Sequence, residues 1–254
     1  MSNEDAPSAR VSPVDGQPDR PRLLVWQDEL NASPGYRALA LMAYVRRIGY
    51  VLQANVVQYN ALIARMQDPS FALPIFDVAN PQVHDDLLSE VERLLHNVLM
   101  ALSTRIDQQR SFMKEYFSDD AALAAEYAAR VRSDFDDYTP SAFLRGLRNY
   151  LTHHRLPVAQ SQQNFSASSF SVTFVLLCRP LLEWSRWNSD IERWIAGQGD
   201  HLEIVSMIDG YARIAGEFDM WLHDRIGLKY AGEIRQYEGA ANAFDREWDR
   251  TFGQ

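Results

Sequence analysis

Cysteine is nearly missing from this chain of 254 residues: Cys178 stands alone, which excludes an intrachain disulfide framework and a zinc site built on several thiolates. Its neighbours Val175, Leu176 and Leu177 predict a small core residue rather than a nucleophile. Lysine is nearly as scarce, with only Lys114 and Lys229. Positive charge therefore rests on arginine, whose planar fork suits bidentate contacts to phosphate or carboxylate. Long apolar runs are missing too. The longest, near Phe170 to Cys178, is far short of the roughly 20 residues that cross a bilayer. The opening MSNEDAPSARVSPVDGQPDRPR has neither a basic start leading into an apolar stretch nor a small-residue cleavage site, so a cytoplasmic protein with no membrane partner is expected.

A formal charge of −9 argues against a general nucleic-acid coat but is compatible with a local basic patch. The chain has no GxxxxGK[ST] or GxGxxG loop, no HExxH and no paired Glu-x-x-His, so neither a cofactor nor a metal is expected. His84 beside Asp85 and Asp86 reads as a charged first turn, and His96, four residues after Glu92, as half of an ion pair on one helix face.

What is present is enough apolar material, 46%, for a sizeable core. Residues 1–33 carry Pro7, Pro13, Pro18 and Pro21 among polar residues and read as a flexible tail, with Leu23, Leu24, Val25 and Trp26 as the segment able to dock. Residues 34–254 read as a single helical domain. From Gly35 to about Gln67, the positions Leu41, Val45, Ile48, Leu52, Asn55, Tyr59, Leu62 and Met66 alternate in steps of four and three, predicting a long helix with a packing seam in which Asn55 either sets register or is a satisfied core amide. Asn80-Pro81 predicts the start of a second helix running to about Phe117, antiparallel to the first, with Leu88, Val91, Leu95, Val98, Leu102 and Ile106 as its stripe. Ser118 with Asp119 and Asp120 opens a third, which ends in a solvated SDFDDY. Thr139-Pro140 launches a fourth, stopped by Pro157. Residues at about 158–178 alternate as a β-hairpin around a Ser-rich turn. Pro180 then restarts helix through Gly197, with Trp184, Trp187 and Trp194 near one face, and Asp200 with Glu203 offers a capping box for the next. The fold class is mainly α, a helical bundle with a small β-hairpin insertion.

The fourth helix holds the densest chemistry. On a helical wheel Phe143, Leu144, Leu147, Leu151 and His154 share one side, and Arg145, Arg148, Asn149, Thr152 and His153 the other. That polar face has no carboxylate of its own and suits a phosphate or an acidic partner. Asn149 and His153 are four apart, close enough for the amide to orient the imidazole. Arg148 and His153 are five apart, about 140° around a straight helix. A site using both needs either an unwound helix end or the same helix of a second protomer.

Arg148-Asn149-Tyr150-Leu151-Thr152-His153 resembles the Arg-Asn-x-x-x-His motif of HEPN domains, the higher eukaryote and prokaryote nucleotide-binding helical bundles, a resemblance that covers about the central 120 residues. The resemblance implies a homodimer that brings two motifs together and, in active members, a metal-independent endoribonuclease of toxin or defence type, often with a cognate antitoxin or regulatory protein. It assigns Arg148 to the scissile phosphate, His153 to the proton of the ribose 2′-hydroxyl and Asn149 to orienting one of them; beside these, and not from the resemblance, Arg145, Thr152 and Arg155 are the expected substrate-binding residues. Arg155 stands where the family commonly has a tyrosine. The alternative is a non-catalytic adaptor whose arginine face binds RNA, a nucleotide or an acidic protein; a purely structural reading instead has Arg148 and Asn149 tie the helix to a neighbour and His153 cap its carbonyls.

Overall fold

A computed structural model describes residues 20–157, 159–166 and 170–253; the expectations for residues 1–19 and for the tip of the hairpin lie outside them. Along the chain run α1 (Arg20–Ala32), α2 (Pro34–Arg65), α3 (Pro69–Ala72), α4 (Pro81–Phe117), α5 (Ala121–Val131), α6 (Thr139–His153), β1 (Ala159–Phe165), β2 (Phe170–Leu177), α7 (Cys178–Leu182), α8 (Ser189–Ala196), β3 (His201–Glu203), α9 (Val205–Lys229) and α10 (Ala231–Phe252). A mainly α bundle with a small sheet is therefore what the chain forms. Its described residues divide into two compact units, one of those up to Ala43 together with those from Arg225 onward, and one of those within Tyr44–Asp224.

In the first unit α1 packs against α10. Trp26 meets Phe244 edge-on at 5.5 Å, Tyr36 meets Tyr237 at 5.8 Å, and Leu23 and Leu30 are buried. Residues 20–32 are thus helix rather than tail. Leu23, Trp26 and Leu30 recur at helical spacing and find an apolar partner, while Pro21 falls in the first turn, where no amide is needed. Gly35 lets the chain pass close to α10, because a Cβ there would collide with the Glu233 carbonyl.

In the second unit the seam of α2 is buried at Val45, Ile48, Leu52, Tyr59 and Met66. Asn55 is not a register device: its amide donates to the Val51 carbonyl of its own helix at 2.8 Å. Gln53 donates to the Ala212 carbonyl at 2.8 Å and Asn60 to Asp209 at 2.6 Å, running α2 antiparallel to α9. Tyr44 meets Phe112, late in α4, at 5.5 Å. Asp120 caps α5 by accepting from the Leu123 amide at 3.0 Å. SDFDDY is not simply a solvated end, since residues Arg132–Asp136 form a π turn that buries Phe135 against Tyr211 and Phe218. Such turns are frequent where a helix is reshaped for a site.

β1 and β2 pair from Ala159↔Leu176 to Phe165↔Phe170, and β3 adds antiparallel to β2. The third strand is only three residues long and has no alternation to read. Gln67 clips β2 from outside, donating to the Val172 carbonyl at 2.8 Å and accepting its amide at 3.2 Å. His84 reaches Ser161 at 2.8 Å, tying α4 to β1. Glu92 does not pair with His96; it accepts the Ala159 amide at 3.5 Å. The helix expected over 180–197 is interrupted between α7 and α8. Trp184 and Trp187 turn inward there onto Phe143 and Tyr150, and the Trp187 indole donates to the Leu181 carbonyl at 2.6 Å. Gly146 on α6 leaves room for the Trp187 ring. Glu203 caps α9 by accepting from the Val205 amide at 2.7 Å, so the expected box reduces to a single acceptor.

Candidate functional site

α6 begins with Pro140 in its first turn and stays helical through His153. Phe143, Leu144, Leu147 and Tyr150 are fully buried, which fixes the roll of the helix and turns the opposite face outward. Arg148 is half-buried, and Asn149, Thr152 and His153 are exposed. The Arg148 Nη1 donates to the Asn149 side-chain oxygen at 3.1 Å, while its Nε is shielded from solvent with no partner. No carboxylate engages Arg148 among the described residues. Thr152 donates to the Arg148 carbonyl at 2.8 Å, a bond within its own helix. His153 makes no hydrogen bond or ion pair among the described residues, and Asn149 is turned to Arg148 rather than to it.

The other candidates are tied down. Arg155 Nε donates to the Tyr150 hydroxyl at 2.8 Å, and its Nη2 reaches the Pro180 carbonyl at 3.2 Å and Glu183 at 2.5 Å. That arginine pins the end of α6 to α7. His154, assigned to the apolar side, is exposed, with its ring edge-on to Tyr150 at 5.1 Å. Arg145 points towards the π turn, donating to Asp136 at 3.3 Å. The carboxylate missing from α6 itself is thus supplied to Arg145 and Arg155 by other elements, and only Arg148 is left without one.

A second polar constellation was not anticipated. Arg105 on α4 is 2% exposed. Its Nη2 meets Asp219 Oδ1 on α9 at 2.6 Å, its Nε lies 3.1 Å from both carboxylate oxygens, and Nη2 also donates to the Ala215 carbonyl at 3.1 Å. Gln109 donates to the same carboxylate at 2.5 Å. Gly49 on α2 is bare beside Asp219, where a Cβ would strike the carboxylate. Burial disfavours the Arg105 charge, but Asp219 more than offsets this and holds the guanidinium above its usual pKa. The sequence signal was a polar pair at core spacing: Arg105 and Gln109 sit in steps of three and four between Leu102 and Phe112.

Arg105 and Gln109 of this triad line a cleft of about 420 Å³ between α4, α5, the π turn, α6 and α9. Among the described residues no group of three or more His, Cys, Asp or Glu side chains is placed to hold a metal ion, and no helix is long and apolar enough to cross a membrane. No protein-family model matches the chain, and no curated protein or solved structure is significantly similar to it.

Proposed function

We propose that this chain is a HEPN-like endoribonuclease, of toxin or defence type, that cuts RNA without a metal ion at a site shared by two protomers. One observation carries the reading: Arg148 and His153 lie in the last turns of one helix, and among the described residues neither is engaged by a carboxylate. Because α6 remains helical through His153, the two side chains stay about 140° apart within one copy. Convergence on one phosphodiester then requires α6 of a second copy. Arg148, steadied by Asn149, offers donors to the non-bridging oxygens, where charge grows in the transition state. His153, neutral, takes the proton of the ribose 2′-hydroxyl. The 2′-oxygen bonds to phosphorus, the bond to the 5′-oxygen breaks, and that oxygen takes a proton from solvent, leaving a 2′,3′-cyclic phosphate and a 5′-hydroxyl.

An adaptor that holds RNA or an acidic protein on the same face has one observation in its favour. Asn149 orients Arg148 and not His153, so nothing within one copy fixes the imidazole. Incubation of the full chain with mixed RNA in excess chelator separates the two. The nuclease gives fragments ending in cyclic phosphate and spares the 2′-deoxy analogue. Binding without cleavage of any RNA supplied makes it the adaptor.

A further inference from the structure

The cleft above Arg105 is built for an anion. Its rim and floor carry the guanidiniums of Arg105, Arg110, Arg132 and Arg145. Among the described residues only two carboxylates answer them, Asp219 beneath Arg105 and Asp136 against Arg145. Arg110 and Arg132 make no ion pair among the described residues, and both are exposed. Arg105 commits Nε and Nη2 to Asp219 and the Ala215 carbonyl, leaving Nη1 without an acceptor of ordinary geometry.

Two neutral hydroxyls add to this. Ser141 Oγ and the Tyr211 hydroxyl both line the cleft in residues only 1% and 2% exposed; Ser141 Oγ has no hydrogen-bond partner, and the Tyr211 hydroxyl has only the Arg105 guanidinium beside it, outside ordinary hydrogen-bond geometry. A buried hydroxyl without a well-formed hydrogen bond is costly, so two in one cavity, beside a partly uncommitted guanidinium, point to an absent acceptor. The flanking walls are aromatic. Tyr127 and Phe135 each stand edge-on to Phe218 at 5.4 Å, which holds both rings in place. The volume of about 420 Å³ falls within the range of small-molecule sites.

We infer that this cleft binds a phosphomonoester carried on a small planar ring, with the phosphate held by Arg105, Arg110, Arg132 and the Ser141 and Tyr211 hydroxyls, and the ring against Tyr127 and Phe135. The inference does not rest on the ribonuclease reading. Calorimetric titration of the full chain tests it with phenyl phosphate, glycerol 3-phosphate, inorganic phosphate and phenol as probes. Phenyl phosphate should saturate one site per chain, glycerol 3-phosphate and inorganic phosphate should bind at least about tenfold more weakly, and phenol should not bind. The double variant Arg110→Ala/Arg132→Ala removes only exposed side chains; it should keep the unfolding midpoint of the free protein and lose about tenfold or more in affinity. Tyr127→Ala should erase the preference for phenyl over glycerol phosphate. Arg148→Ala should leave binding intact, so this site and the ribonuclease reading fail independently. Absence of saturable phenyl phosphate binding into the millimolar range overturns the inference, as does binding undiminished in the double variant.

Discussion

Arg105 and Asp219 set the strongest constraint at the scale of single residues. A buried guanidinium left without its carboxylate costs about 3–5 kcal/mol, whereas replacing both partners by apolar groups of similar volume is often neutral or stabilising. Asp219→Ala should therefore lower the unfolding free energy measured by denaturant titration by an amount in that range, and Arg105→Met with Asp219→Leu should recover most of it. A loss under about 1 kcal/mol in the single variant would mean that water reaches the pair. Glu92 gives a pH-dependent case. Burial raises its carboxyl above the usual range, against the pull of the Ala159 amide. The fold therefore prefers the neutral acid, so this contribution is complete below the unfolded pKa, about 4.3, and is lost as pH rises through the folded one. Glu92→Gln should accordingly be more stable than wild type at neutral pH, and the difference should vanish in strong acid. Equal midpoints at neutral pH would show that the carboxylate carries no burial penalty. The motif Arg148-Asn149-His153 was legible because its residue types are unusual together. Arg105 was not, because an arginine at core spacing becomes readable only once Asp219, 114 residues away, is seen beneath it.

Among the elements, the long helices were legible from apolar periodicity, and α4 ends at Phe117 as its stripe implies. The misreadings share a cause, since local pattern loses where tertiary partners decide. α1 looked too polar and proline-rich to fold, yet Leu23, Trp26 and Leu30 pair with α10. The stretch after Pro180 looked helical throughout, yet the rings of Trp184 and Trp187 gain more by packing on Tyr150 than by continuing the helix. β3 has too few residues to show any period. Glu203 is the element-scale test. Its side chain satisfies the Val205 and Ser206 amides at the start of α9, so Glu203→Ala should cost about 1 kcal/mol. Glu203→Gln, which keeps an acceptor, should cost less; an equal loss in both would show that charge and not capping is what α9 needs.

For the whole molecule, a net charge of −9 confines any phosphate contact to local arginine clusters. α6 touches both clusters along one stripe, where Ser141 and Arg145 face the cleft and Arg148 and Thr152 continue towards the exposed end. Since a single copy keeps Arg148 and His153 apart, sedimentation at micromolar concentration should report a mass near twice 29.1 kDa; a strict monomer would leave the shared site without its second half. The most direct measurement is the single-turnover rate of RNA cleavage in chelator for wild type, Arg148→Ala and His153→Ala, with unfolding midpoints taken alongside. Each substitution should lower the rate by about 10²–10⁴-fold at an unchanged midpoint. Wild-type rates in either variant, or no cleavage by the wild type, would contradict the account.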